Sequence, residues 1–240
     1  MKQQFENYTQ EDFKVWETLF ERQVENLQDK SCQEYLECLR ELNPVLNSAN
    51  IPRFEELNNV LFKKTGWTIE VVPGLIPVGD FFELLSQKKF CSSTWLRSMA
   101  QLDYLEEPDM FHDIFGHIPL FMNKEYGDFA QQMGRIGVQF KNSEDVLLEL
   151  QRLYWFTIEF GLLKTTETKI YGAGIISSFS ETNIVYESET EILPFNLDEI
   201  INADFRNDTI QTKYFLLESF DQLYEALNKY EERLMSLACL

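Results

Sequence analysis

The sequence predicts one mostly α-helical domain with a few short strands. Three observations carry this. Apolar residues recur at helical spacing over several long stretches, and β-branched runs are short and broken by proline and glycine. No Pro/Gly/Ser linker, internal repeat or low-complexity tract divides the 240 residues. Length alone allows one large domain or two small ones. The missing linker favours one.

Along the chain, Thr9 followed by Asp12 has the form of an N-terminal capping box. Phe13, Trp16, Leu19, Phe20, Val24 and Leu27 then follow on one helical face. A second helical stretch carries Tyr35, Leu36, Leu39 and Leu42 and stops before Pro44. A third begins after Pro52, carries Phe54, Leu57, Val60, Leu61 and Phe62, and ends at Gly66. "WTIEVVPGLIPVGDFF" reads as a short strand and a loop. Residues 123–140 and 143–164 read as helices. "IYGAGIISSF" and "NIVYESE" read as a small hairpin or two short strands. "KYFLLESF" reads as a strand, followed by a helix from Phe220 to Leu237.

Composition excludes several classes of function. At 44% hydrophobic and 14% aromatic residues the chain can bury a substantial core, so it is not compositionally disordered. Forty acids against 21 bases give a net charge of −19, which repels polyphosphate backbones and anionic membranes. Nucleic acid and membrane are therefore not expected partners, although divalent cations are attracted non-specifically. Cys32, Cys38, Cys91 and Cys239 form no C-x-x-C pair and read as reduced thiols of a cytoplasmic protein. The N-terminal segment lacks the apolar core of a signal peptide, and no apolar run is long enough to cross a bilayer.

The only two histidines, His112 and His117, lie five residues apart in "PDMFHDIFGHIPLF". Five residues of ideal α-helix rotate a side chain by roughly 140°, too far for both rings to reach one ion. The spacing argues against the H-E-x-x-H zinc proteases, whose histidines sit at i and i+4. Gly116 and Pro119 supply a helix break. With it, His112 would close one helix and His117 would lie on the next segment. A third ligand is available in Glu159, a carboxylate inside the apolar run "LYWFTIEFGLL", costly to bury unless paired or metal-bound. Two imidazoles and one carboxylate with open positions form the ligand pattern of non-haem Fe(II) oxygenases. From the residues alone, two readings stand. Either the three converge on a metal, or the histidines are hydrogen-bonded core residues and Glu159 pairs with a basic side chain.

"LDYLEEPDMFHDIFGHIPLF", "LYWFTIEFGL" and "YGAGIISSF" resemble the signature blocks of the pterin-dependent aromatic amino acid hydroxylases. "VVPGLIP" with "DFF", and "DTIQTKYFLLESF", resemble further blocks in the same order, so the likeness runs from about Tyr8 to at least Phe220. It is closest to the short bacterial members that act on phenylalanine. The resemblance implies a single catalytic domain over residues 1–240, with no regulatory domain and no tetramerisation helix, hence a monomer. It implies Fe(II) on His112, His117 and Glu159, a tetrahydropterin cosubstrate, O2, and a free aromatic amino acid as substrate.

Carried over by position, Phe81 matches the aromatic that stacks on the pterin. Gly74, Ile76 and Val78 match the loop that cradles it. Asp113 stands where many members have a glutamate and by position would reach the pterin through water, although it also reads as a capping or solvated acid. Tyr154 matches a tyrosine near the iron. Arg97 matches the arginine that holds the substrate carboxylate, and Asp109 the acid that orients it. Trp155 fits the wall beside the substrate ring and leans the reading toward phenylalanine over tryptophan or tyrosine. Gly174 and Ser177 fit the opposite wall, with Ser177 also placed to hydrogen-bond His112. "RSMAQ" differs from the pattern and the region near Arg206 and Asn207, read as facing the substrate, is not diagnostic, so both leave the preferred amino acid open. Two rivals of other classes are a zinc hydrolase with Asp113 as general base and a non-catalytic metal-binding module.

Overall fold

The computed structural model describes residues 1–238 apart from 104, 106, 188 and 208, with side chains through 236. Cys239 lies outside the described residues. The fold is mostly helical. The capping box forms as the sequence predicts, with Thr9 Oγ1 accepting from the Asp12 amide and Asp12 Oδ2 accepting from the Thr9 amide. It starts α1 (Gln10–Leu27), which buries Val15, Trp16, Leu19, Phe20 and Leu27. α2 (Gln33–Leu42) follows, then α3 (Phe54–Thr65), which ends where Gly66 takes φ 81°. Phe62 is 65% exposed, off the buried face expected for it.

β1 (Thr68–Val71) and β2 (Lys89–Ser92) form a parallel pair joined through α4 (Val78–Ser86). α4 packs on α5 (Lys124–Gln139), and α6 (Glu144–Tyr154) follows. β3 (Gly161–Lys164) and β4 (Thr168–Ile170) come next, then the short helices α7 (Ala173–Ile176) and α8 (Phe179–Ile184). β5 (Glu191–Pro194), α9 (Leu197–Asn202), β6 (Lys213–Leu217) and α10 (Phe220–Ala238) complete the chain. The second sheet has the order β4-β3-β6-β5, antiparallel only between β3 and β4. One apolar cluster runs from Val15 to Leu234 and joins all these layers.

Two expectations are corrected. The helix expected over 143–164 runs as α6 to Tyr154 and continues in π form to Glu159, and residues 161–164 leave it for the sheet beside β6. Leu162 and Leu163 are buried there, and a continuous apolar run reads equally well as helix or buried strand. The expected hairpin in "IYGAGIISSF" and "NIVYESE" is absent. Among the described residues there, Ile170 alone is strand, and α7 and α8 occupy 173–176 and 179–184. Gly172 precedes α7, and Ser178 caps α8 by accepting from the Glu181 amide at 3.3 Å.

Candidate metal centre and its pocket

The chain does not break between the histidines. Residues His112–His117 form a π-helix. Widening the turn to i→i+5 brings the sixth residue back over the first, so both rings share a face. Gly116 serves close packing, not a break. A Cβ there would lie 2.9 Å from the Ala173 carbonyl oxygen at the start of α7. Pro119 opens the following tight turn, Pro119–Met122. A second π-helix, Trp155–Glu159, delivers the carboxylate. His117 Nε2 lies 3.1 Å from Glu159 Oε1 and 3.2 Å from His112 Nε2, and His112 Nε2 lies 3.6 Å from Glu159 Oε2. The three ligand atoms fall within 4.8 Å of one another.

The donor set fits a divalent metal. The Ser177 hydroxyl donates to the Ala173 carbonyl at 2.8 Å, so its lone pair accepts from His112 Nδ1–H, also at 2.8 Å. That fixes the tautomer and leaves a bare His112 Nε2 aimed at the centre. Burial pushes the His112 pKa down to about 4, with His117 in the same direction; Glu159 and Asp109 oppose this incompletely. The ring is therefore neutral at neutral pH. Burial pushes Glu159 up, but the His117 and His112 rings and the Tyr154 hydroxyl outweigh it and hold the carboxylate down at about 2. An ionised carboxylate faces two imidazoles, with no lysine or arginine paired to it among the described residues. A cation at that point supplies the missing charge. Among the described residues, His117 Nδ1 is buried without a partner.

The centre opens into a cavity of about 510 Å³, room for two ring-sized ligands. Gly74, Ile76, Val78, Phe81, Asp113 and Tyr154 line it, with the Tyr154 ring 6.3 Å from that of His117. The Phe81 and Tyr154 rings meet edge to face at 5.0 Å. Asp113 accepts from the Ser93 amide at 3.0 Å, and burial pushes its carboxyl well up from the ordinary range. Arg97, Trp155, Gly174 and Ser177 line the same cavity. Asp109 is buried behind Arg97, off the cavity. It accepts from Arg97 Nε and Nη2 at 2.9 and 3.0 Å, and from the His112 amide at 3.1 Å. Burial pushes Asp109 up, but Arg97 and these amides outweigh it and hold the carboxyl below its usual range.

The family model of the biopterin-dependent aromatic amino acid hydroxylases matches residues 4–237. The chain belongs to this family. The hydroxylase is 43% identical over 228 residues to phenylalanine-4-hydroxylase of Chromobacterium violaceum, covering 94% of this chain and 76% of that one. It resembles the crystal structure of C. violaceum phenylalanine hydroxylase with iron(III) and 7,8-dihydrobiopterin at a TM-score of 0.91 and 42% identity. That match covers 99% of this chain and 86% of that one. It also resembles the iron- and phenylalanine-bound C. violaceum structure, at a TM-score of 0.88 and 41% identity, over 94% and 82% of the two chains. The hydrolase and non-catalytic readings gain no support from these matches.

Sequence reasoning did not single out Gln211 or Glu181, and both line the hydroxylase cavity. Asn207, in the region the sequence does point to, lines the same cavity. The available signal was a polar residue inside a recognised block, Gln211 just before the "KYFLL" strand, and an acid just beyond another, Glu181 two residues after "YGAGIISSF".

Proposed function

We propose that the hydroxylase converts phenylalanine to tyrosine, with Fe(II) on His112, His117 and Glu159, a tetrahydropterin as cosubstrate and O2 as oxidant. One observation carries this: three ligand atoms within 4.8 Å of one another, on the wall of a cavity that also holds Arg97. The names of the C. violaceum relatives support phenylalanine as the substrate. Held there, Fe(II) would supply oxygen activation and the tetrahydropterin the two electrons that a monooxygenation of the ring requires.

The chain's own residues bind and orient. Arg97 has five N–H groups. Asp109 takes two and the Leu102 carbonyl a third, so one remains on each terminal nitrogen for the substrate carboxylate. Asp109 also holds the His112 amide, so one carboxylate ties the substrate anchor to a metal ligand. Ser177 holds the His112 ring in the ligating tautomer. Phe81 offers an aromatic edge and face to the pterin, with Gly74, Ile76 and Val78 as its cradle. Asp113 offers a carboxyl to the pterin's polar edge, and Tyr154 donates toward Glu159. Trp155 and Gly174, both on the cavity wall, flank the substrate ring in this reading.

We read residues 1–240 as one monomeric, cytoplasmic catalytic domain. The single apolar cluster and the free thiols of Cys32, Cys38 and Cys91 support this. Among the described residues, no helix is long and apolar enough to cross a membrane.

The test incubates purified protein with Fe(II), a tetrahydropterin, O2 and each aromatic amino acid. Tyrosine should form from phenylalanine with the highest kcat/KM. Metal analysis should find iron in the wild type and none in His112→Ala or His117→Ala. No hydroxylated product from any amino acid would overturn the function. Full iron binding by both variants would overturn the ligand set.

A further inference from the structure

Gln211 is a saturated polar node on the cavity wall, only 7% exposed. Its side-chain nitrogen donates to the carbonyls of Arg206 and Thr209, at 2.7 and 3.0 Å. With both N–H groups committed, the orientation of the amide is fixed, and Oε1 is left as an acceptor. It accepts from the indole Nε1 of Trp155 at 3.1 Å. The backbone of Gln211 is held as firmly. Its amide donates to Glu181 Oε1 at 3.0 Å, and the Tyr214 hydroxyl donates to Glu181 Oε2 at 2.8 Å while lying 3.1 Å from the Gln211 carbonyl oxygen. Glu181 is a buried acid on the cavity wall, outside the His112–His117–Glu159 ligand cluster.

The indole so held packs on Phe205 at 4.8 Å and on Phe160 at 4.7 Å between ring centroids. Dispersion fixes its distance from those rings but leaves it free to slide in its plane. A directional bond at Nε1 removes that freedom. Glu181 also lies four residues beyond Ser177, which holds His112. The stretch 177–181 therefore reaches a metal-ligand ring at one end and the Trp155 wall, through Gln211, at the other.

We propose that Gln211, clamped by Glu181, is a positioning residue for substrate selection. It sets the Trp155 indole against the ring of the bound amino acid, and so determines which aromatic side chain fits. The inference rests on the hydroxylase reading above and goes beyond it in naming what sets the substrate wall.

The test is a double-mutant cycle with a spectroscopic arm. In Fe(II)-loaded protein, Gln211→Leu should raise the KM for phenylalanine about five- to tenfold, the scale of one neutral hydrogen bond. The KM for the pterin should not move, and the preference for phenylalanine over tryptophan should fall by a similar factor. In a Trp155→Phe background, which lacks the indole donor, Gln211→Leu should add nothing. Equal effects in both backgrounds, or a rise in both KM values together, would overturn the proposal. The metal-free protein gives an independent reading. Its Trp155 indole N–H resonance, identified by its loss in Trp155→Phe, should exchange slowly with solvent. Fast exchange in the wild type would also overturn it, even if Gln211→Leu fails to fold. A wild type that hydroxylates nothing would sink the function and leave this last measurement meaningful.

Discussion

His112 is where the chemistry of the centre is set by one neighbour and one environment. The Ser177 hydroxyl fixes which nitrogen is bare, and burial pushes the ring's pKa down to about 4. An unfolded histidine titrates near 6.5. Between these values the unfolded chain carries a proton the folded one lacks, so this residue's contribution to stability is whole above about pH 6.5. It is lost as pH falls toward 4, with a slope of about one proton. Asp113 has the opposite sign. Burial raises its carboxyl, so its contribution is present at low pH and lost as pH rises. The net pH dependence of the metal-free wild type thus mixes two opposed groups, and the ring itself must be followed. With only two histidines in the chain, each ring resonance is assigned by one substitution. Proton NMR of the metal-free protein should show the His112 ring titrating near pH 4. A midpoint near 6.5 would contradict the buried, neutral ligand described above. The difference in stability between wild type and His112→Asn should also shrink as pH falls from 6.5 to 4.

The two π-helices matter more than any other elements, because they place all three ligands. The first depends on Gly116, whose missing Cβ lets the turn lie against the Ala173 carbonyl. Alanine has the better helix propensity by about 1 kcal/mol. A Cβ 2.9 Å from a backbone oxygen costs more, since a carbonyl in a helix cannot swing aside, and overpacking of this kind costs about 1–3 kcal/mol. Gly116→Ala should therefore lower Tm by a few degrees and weaken metal binding by shifting His112 against His117, as melting curves and a metal titration would show. An unchanged Tm would mean the approach is looser than described. Little of this was legible beforehand. The capping box at Thr9, the end of α3 at Gly66 and the face of α1 are written in neighbouring residues and were read correctly. A π turn differs from an α turn only by its wider hydrogen bonding, so the five-residue histidine spacing looked like a break. "GAGIISSF" has no clear period, so the sequence alone does not separate strand from the short helices found there. What selects helix there is the caps at Gly172 and Ser178 and packing on the π turn. Gln211 could not be connected to Trp155, because the bond that makes it matter spans 56 residues.

Across the whole molecule, the cavity draws on segments from Val72 to Gln211, and no stretch of chain forms it alone. The ligand triad joins residues 112–117 to residue 159 inside a single core, so a bound ion should stabilise the entire fold by mass action. With free metal at a hundredfold excess over Kd, the gain is about 2.7 kcal/mol, which for a chain of this size is roughly 5–11 °C in Tm. Cobalt(II) suits the measurement because it takes imidazole and carboxylate ligands and resists oxidation by air better than Fe(II). The net charge of −19 complicates it, since any divalent cation relieves self-repulsion at an acidic surface. Magnesium separates the two effects. It prefers oxygen ligands and keeps its waters, so it reports the surface contribution alone. Calorimetry should therefore show a large upward shift with cobalt and a small one with magnesium. In Glu159→Gln, which keeps nearly the same surface but loses the anionic ligand, the cobalt shift should drop to the magnesium level. Equal shifts from both metals in the wild type would reduce the site to surface electrostatics and remove the basis for placing iron there.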